Sequence, residues 1–151
     1  MRIKISILFI IMLMVTSCGF SPIYDAKNKT DYKIIVIEKK GDRYLNNIIN
    51  NEIKSISNSD SQKEIKLRLN TIYEKTILSK DSKGTTSEYD IKVKSIFLIE
   101  NFKNKTLIFS ESQILKNTSN IFQQKNYENT IKANFASSIV RKLNLSLINL
   151  K

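Results

Sequence analysis

The fold of this chain is decided by one stretch, Ile65-Lys66-Leu67-Arg68-Leu69-Asn70-Thr71-Ile72-Tyr73. Apolar or large side chains occupy its odd-numbered positions, whereas Lys66, Arg68 and Asn70 stand between them. A period of two is typical of a β-strand that buries one face and leaves the other outside the core. The stretch therefore predicts a strand whose odd-numbered side chains point into the core of the protein.

Two more runs with the same period follow along the chain. The first covers Tyr89 to Ile99, and the second covers Thr106 to Leu115. A polar segment that contains turn-forming residues precedes each run, Lys80 to Gly84 before the first and Asn101 to Asn104 before the second. The three runs together predict an antiparallel meander.

Segments on both sides of the meander supply a fourth strand and two helices. A β-branched run between Tyr32 and Glu38 predicts a strand with both faces covered, and Asp42 is placed to cap a helix over Arg43 to Ser57. From Asn120 to Lys151 the apolar residues recur every three or four positions, as they do along an amphipathic helix. The prediction is an α+β fold: a two-layer sandwich with two helices packed on one face of a four-stranded sheet, in the order β-α-β-β-β-α.

The N-terminal residues have the pattern of an export signal. Arg2 and Lys4 precede an apolar run from Ile5 to Val15, which is shorter than the roughly 20 residues that span a bilayer. Small residues follow at Thr16-Ser17, and the next residue is Cys18, the single cysteine of the chain. This arrangement resembles the lipobox of bacterial lipoproteins, whose cysteine receives a diacylglycerol on its sulfur and a third acyl chain on its amine.

The lipobox divides the chain into three predicted parts. Residues 1–17 are a lipoprotein signal peptide, residues 18–30 a lipidated tether, and residues 31–151 a single α+β domain. Acyl chains on Cys18 would anchor the protein at a membrane, because several chains bind essentially permanently where one binds only marginally. The alternatives are an ordinary secretory signal with a chance cysteine and an N-terminal apolar helix that stays in the membrane.

The composition excludes several classes of function. The chain has no histidine, and its one cysteine is assigned to lipid, so disulfides, soft metal sites and His-based or Cys-based catalysis are unavailable. It has only three glycines and no Gly-x-Ser-x-Gly motif. We therefore predict that the protein is not an enzyme and has no catalytic residue, no cofactor and no metal site.

The positive charge admits two interpretations. The formal net charge is +11, and removal of Arg2 and Lys4 with the signal leaves +9 on the mature chain. A basic surface outside the cytoplasm suits lipid phosphates or acidic glycans, and the export signal argues against nucleic acid as a partner. Alternatively, the lysines are evenly scattered solvated residues that reflect a coding bias rather than a partner.

Several segments resemble the LptE family, the lipopolysaccharide-assembly lipoproteins of Gram-negative bacteria. Residues Cys18-Gly19-Phe20-Ser21-Pro22-Ile23-Tyr24 resemble the family's Cys-Gly-Phe-x-Pro-Leu-Tyr opening. Residues Ile49-Asn50-Asn51-Glu52-Ile53 are similar to the Leu-Arg-Asn-x-Leu of its first helix, with Asn50 where arginine is usual. The strand Tyr89 to Val93 and the last helix around Ala133 to Leu143 also look alike.

The resemblance implies a location and a partner. The protein would sit on the inner leaflet of the outer membrane, facing the periplasm, where it would help assemble and plug the large β-barrel translocon LptD and assist lipopolysaccharide export. Gly19 after the lipidated cysteine agrees with sorting to the outer membrane. The alternative function is a stand-alone lipid-binding or carrier lipoprotein, which would need an enclosed apolar cavity.

The even-numbered face of the meander is the candidate contact surface, because no helix remains to cover it. We expect Lys66, Arg68, Lys92 and Lys94 to contact lipopolysaccharide phosphates or an acidic partner surface. We expect Ile96, Leu98 and Ile108 to form an apolar partner interface. Pairing about the turns predicts that Lys66 and Arg68 lie across from Leu98 and Ile96, and that Ile72, Lys92 and Ile114 form another row. The alternative is a loosely patterned sheet with lysine stems folded over scattered isoleucines.

The lipobox generates the first testable prediction. Intact mass of the membrane-extracted protein should show acyl additions on a chain that starts at Cys18, and Cys18→Ser should release the protein or leave it uncleaved. Unmodified full-length protein in the membrane would contradict the assignment.

Overall fold

The computed structural model of the protein describes residues 30–100 and 105–149, so Cys18, the predicted turn over 101–104 and Leu150 lie outside the described residues. The predicted α+β fold and its element order are confirmed. The elements are β1 (Lys33–Gly41), α1 (Arg43–Ile56), β2 (Glu64–Lys80), β3 (Thr86–Ile99), β4 (Lys105–Lys116) and α2 (Ile121–Ile148).

The four strands form one sheet in the order β1-β2-β3-β4. β2, β3 and β4 pair antiparallel, as the meander predicts, and β1 joins the edge of β2 in parallel. A parallel pair needs a crossover connection, and α1 supplies it by carrying the chain back between β1 and β2. β2 runs seven residues beyond Tyr73, so the hairpin of β2 and β3 is longer than the alternating pattern alone indicates.

The end of β1 requires glycine. Gly41 has φ of +85°, and a Cβ built on it would lie 2.0 Å from the carbonyl oxygen of Thr71. This close approach lets the next residue, Asp42, donate its N–H to the same oxygen at 2.8 Å. The Asp42 side chain then accepts a hydrogen bond from the N–H of Leu45 at 2.8 Å, which confirms it as the N-cap of α1.

The core lies between the odd-numbered face of the sheet and the two helices. Leu45, Ile49 and Ile53 of α1 are buried there. The buried apolar residues of the meander are Ile65, Leu67, Leu69, Ile91, Val93, Phe97, Ile99 and Leu115, and those of α2 are Ile131, Phe135, Ala136, Ile139, Val140, Leu143 and Leu147. The predicted apolar face of the meander and the predicted apolar faces of the two helices therefore meet in one two-layer core.

One strand differs from its prediction. The β-branched run of β1 predicts burial on both faces, but only Ile34 is buried, and Ile37 is 44% exposed. β1 lies at the edge of the sheet, and a bulge between Val36 and Glu38 shifts its register against β2. An edge strand has a neighbour on one side only, so its side chains keep more solvent contact than those of a central strand.

The helix α2 extends beyond the core at its N-terminal end. Asn120 caps it by accepting hydrogen bonds from the N–H groups of Phe122 and Gln123, yet Ile121 and Phe122 are 84% and 72% exposed. Within residues 30–100 and 105–149, no helix is both long enough and apolar enough to cross a bilayer.

A charged network holds this part of α2 on the sheet. The carboxylate of Glu128 accepts hydrogen bonds from Tyr73 Oη at 2.6 Å and Lys75 Nζ at 2.7 Å, and Lys132 Nζ lies 3.0 Å from it. Lys132 also stacks over the Tyr73 ring, 3.9 Å from its centroid. Burial would raise the pKa of Glu128, but these donors outweigh it and lower the pKa to about 2. Burial and the neighbouring carboxylate raise the pKa of Tyr73.

Stability should depend on the packing of α2 against the sheet. Leu143 is fully buried, so Leu143→Asp would put an unpaired charge into the core and lower the free energy of unfolding by about 3 to 5 kcal/mol. Leu145→Asp is the matched control, because Leu145 lies on the same helix and is 58% exposed. A melting temperature for Leu143→Asp within a degree or two of that of Leu145→Asp would contradict the packing.

The Glu128 network should give a pH-dependent contribution to stability. Glu128→Gln should lower the free energy of unfolding by about 1 to 2 kcal/mol at neutral pH, because it weakens three charge-assisted contacts. The folded-state pKa is depressed, so this difference should be complete above the ordinary value of 4.5 and should vanish as the pH falls through about 2.

Chemical denaturation of wild type and Glu128→Gln across this pH range checks the prediction. Glu74→Gln is the control, because it removes the same charge from an exposed position of β2. A difference between Glu128→Gln and wild type that does not change between pH 6 and pH 2 would contradict the role of the network.

The open face of the sheet as the candidate functional site

The even-numbered face of the sheet is the candidate site, because both helices pack on the opposite face. Its side chains form rows across the strands, and each row is set by the strand register. Five successive rows follow β2 toward its C-terminal end. They are Glu38-Arg68-Leu98-Thr106, then Lys40-Asn70-Ile96-Ile108, then Ile72-Lys94-Ser110, then Glu74-Lys92-Ser112, and then Thr76-Asp90-Ile114.

The predicted rows on this face were wrong by two residues. Leu98 lies across from Arg68, and Ile96 lies across from Asn70. Lys66 lies one row before Arg68 along β2, next to Glu100. Ile72 pairs with Lys94 instead of Lys92. The parity of every residue is right, but the longer β2–β3 hairpin shifts the partner along the strand.

At one end of the face, two of the four candidate cations have acidic neighbours. Arg68 lies between two carboxylates, 2.6 Å from Glu100 and 3.6 Å from Glu38, and Lys66 Nζ lies 3.8 Å from Glu64. The pKa of Glu38 is lowered by its hydrogen bond and ion pair with Lys40, with a smaller effect from Arg68. Arg68 and Lys66 therefore have carboxylate partners within the described chain that offset their charge without an external anion.

The other two candidate cations lie side by side on β3. Lys92 Nζ is 2.8 Å from Asp90, and this hydrogen-bonded pair raises the pKa of Lys92. Lys94 forms no ion pair within residues 30–100 and 105–149, and its side chain lies beside Ile72 and Ser110. Of the four candidate cations, Lys94 is therefore the one that has no carboxylate within 4 Å among the described residues.

A shallow depression surrounds Lys94. It has a volume of about 380 Å³ and is open to solvent. Its lining is mixed: it contains the cations Lys92 and Lys94, the hydroxyls of Ser110 and Ser112, the acidic residues Glu74 and Glu111, and the apolar residues Ile72 and Val93. Hydroxyl and ammonium donors around an open depression can hydrogen-bond a phosphate or carboxylate oxygen.

The three predicted apolar contacts lie together at the Arg68 end of the face, since Leu98 is the cross-strand partner of Arg68. Ile96 and Ile108 are direct cross-strand partners, and Leu98 follows Ile96 on the same side of β3. Ile108 is 54% exposed, while Ile96 and Leu98 are half-buried. Ile72 is 40% exposed and continues this apolar surface toward Lys94. An exposed apolar group bordered by cations is a surface suited to a partner.

The acidic neighbours are the site residues that sequence reasoning missed. Glu64 and Asp90 could have been found, because each stands two positions before Lys66 or Lys92 and therefore on the same face of its strand. Glu38 could not be found from the sequence. It reaches Arg68 only because β1 pairs in parallel with β2 after a bulge.

Solved structures with the same fold come from bacterial lipoproteins. The rare lipoprotein B of Shewanella oneidensis matches with a TM-score of 0.52 and 13% sequence identity over 75% of this chain and 98% of that one. The uncharacterized lipoprotein B of Nitrosomonas europaea matches with a TM-score of 0.51 and 14% identity over 79% of this chain and 88% of that one. A minor lipoprotein of Acinetobacter baumannii matches with a TM-score of 0.51 and 14% identity, over 76% of this chain and 94% of that one.

The chain has the fold of these bacterial lipoproteins. No family model and no curated protein matches the sequence. The alignments cover 88% to 98% of these lipoprotein structures, so the likeness extends over most of their fold and not only over a common motif. At this level of identity the likeness describes the arrangement of strands and helices, which agrees with a lipoprotein that bears Cys18.

Proposed function

We propose that this protein is an outer-membrane lipoprotein of the LptE type, which helps assemble and plug an LptD-like β-barrel and assists lipopolysaccharide export. Its acyl chains on Cys18 would hold it on the inner leaflet, facing the periplasm. The lipobox, the opening Cys18 to Tyr24 and the fold shared with bacterial lipoproteins support this proposal. The observation that carries it is the open sheet face, which places exposed apolar side chains beside basic ones.

Two neighbouring parts of the face suit two different contacts. The apolar group of Ile96, Leu98 and Ile108 would pack against the inner wall of the barrel, where burial of apolar area stabilises the complex. The depression around Lys94 would receive an anionic group such as a lipopolysaccharide phosphate. Lys94 can bind it without first losing a carboxylate partner from the described residues.

The remaining three cations would contribute less to anion binding. Arg68, Lys66 and Lys92 each have a carboxylate within 4 Å, so a phosphate would have to replace or share that partner. A charge-assisted hydrogen bond to phosphate is worth roughly 1.5 to 3 kcal/mol when desolvated, and a fraction of that on an open surface. We expect Lys94 to account for most of the effect.

The alternative of a stand-alone lipid carrier finds less support. A carrier needs an enclosed apolar cavity for acyl chains. The depressions found among the described residues open to solvent, and the space between the sheet and the helices is filled by buried side chains of the chain itself.

Purification from detergent-extracted outer membranes tests the proposal. Tagged wild-type protein should carry a stoichiometric large β-barrel, identified by mass spectrometry as LptD-like, together with lipopolysaccharide. The variant that combines Lys66→Ser, Arg68→Ser, Lys92→Ser and Lys94→Ser removes the four candidate cations. It should keep the barrel but carry about tenfold less lipopolysaccharide, and its lipopolysaccharide binding should depend less steeply on salt.

A matched variant removes four charges from exposed positions outside the open face. It is Lys54→Ser, Lys63→Ser, Lys83→Ser and Lys125→Ser, and it should retain both barrel and lipopolysaccharide. A wild-type protein that purifies without a barrel and carries lipid would contradict the plug and support the carrier. Equal amounts of lipopolysaccharide on the two folded variants would show that the four basic residues are ordinary solvated residues and do not bind lipopolysaccharide.

A further inference from the structure

The free edge of the sheet at β4 presents hydrogen-bonding groups that no described residue uses. Asn117 N–H donates to Ser87 O at 2.8 Å, and the register continues unchanged along the pair, so the odd-numbered residues of β4 bond to β3. The backbone N–H and C=O groups of the even-numbered residues from Thr106 to Lys116 therefore point away from the sheet.

This edge lacks the features that usually prevent strands from pairing between molecules. The β3–β4 register runs without a bulge over the whole of β4, and the even-numbered side chains from Thr106 to Ile114 are uncharged. The opposite edge, β1, has a bulge and carries Glu38, Lys39 and Lys40. A long, regular edge strand whose open face carries no charge from Thr106 to Ile114 is a template for another strand.

The sequence of β4 is nearly a palindrome. The nine residues 107–115 read Leu-Ile-Phe-Ser-Glu-Ser-Gln-Ile-Leu, the same in both directions about Glu111 except at Phe109 and Gln113. A two-fold axis that pairs identical strands antiparallel places each residue opposite its equivalent across the axis. With Glu111 on that axis, Ile108 faces Ile114 of the second copy and Ser110 faces Ser112.

We propose that β4 pairs antiparallel with β4 of a second copy of this chain, about a two-fold axis at Glu111, to form an eight-stranded sheet. The register agrees with the backbone, because it places even-numbered residues opposite even-numbered residues, and these carry the free N–H and C=O groups. It also lets Ile108 and Ile114, which are 54% and 52% exposed, cover each other. Moving the register by two residues in either direction places each isoleucine opposite a residue other than isoleucine.

The one unfavourable contact of this register is already compensated within each chain. Two Glu111 side chains would meet at the axis, where like charges repel. Each carboxylate is held on the helix side of the sheet, 2.6 Å from Lys142 Nζ and 2.7 Å from Ser138 Oγ. The axis would therefore carry two ion pairs rather than two free carboxylates.

A second copy fits this edge better than a barrel strand does. The strands of a closed barrel have both neighbours, so they have no free edge to offer. A second copy has the same free edge with a self-complementary sequence. This inference rests on β4 alone and concerns the protein without a barrel partner, because Ile108 also belongs to the apolar group proposed to contact the barrel.

Charge substitutions at positions 108 and 114 test the register. The lipidated full-length protein, purified in detergent without other proteins, should be a dimer by native mass spectrometry over a dilution series. Ile108→Lys with Ile114→Lys puts lysine opposite lysine twice and should weaken the dimer at least about tenfold. Ile108→Lys with Ile114→Glu puts lysine opposite glutamate twice and should restore the dimer. The two sites lie six residues apart on one strand, so neither pair forms within a chain.

The controls separate strand pairing from sharing of a detergent micelle. Leu145→Lys with Ile148→Lys adds the same charges at exposed positions of α2 and should leave the dimer unchanged. An all-glutamate variant, Ile108→Glu with Ile114→Glu, should dimerise only when mixed with the all-lysine variant. A monomeric wild type, a dimeric all-lysine variant, or failure of the lysine–glutamate variant to restore the dimer would each overturn the proposal.

Discussion

The burial of one face of the β2–β3 hairpin underlies the rest of the structure. Alternation along these strands sends Ile65, Leu67 and Leu69 to the same side as Val93 and Phe97, and burying such side chains contributes about 1.5 to 3 kcal/mol each. Both helices must cover that side, because a sheet with an uncovered apolar face is not stable in water. The positions of α1 and α2 are consequences of this requirement.

Covering one face of the sheet with two helices leaves the other face and the outer edge of β4 without a partner inside the described chain. The even-numbered face therefore collects the charged residues of β2 and β3 together with Ile96, Ile108 and Ile72. Most of the charges form pairs on the face itself, whereas Lys94 has no ion-pair partner among the described residues. The proposed function therefore uses the surface that the core leaves uncovered.

The helix α2 is held by different interactions along its length. Its C-terminal half packs through apolar residues from Ile131 to Leu147, whereas its N-terminal half is held by the Glu128 network and the exposed end carries Ile121 and Phe122. An ion network of this kind depends on protonation, while apolar packing does not. The C-terminal half also has an ion pair, between Lys142 and Glu111, so each half of α2 includes a contact that depends on protonation.

The sequence by itself determined the type and order of the elements, the face that each strand of the meander buries and the N-cap at Asp42. These features follow from local periodicity and from residues that are neighbours along the chain. Tertiary structure alone decided the register of β2 against β3, which depends on where the hairpin closes, and hence which residues share a row on the open face. It also decided that Glu38 reaches Arg68 and Glu128 reaches Tyr73, because these contacts join residues that only the pairing of β1 and the direction of α2 bring together.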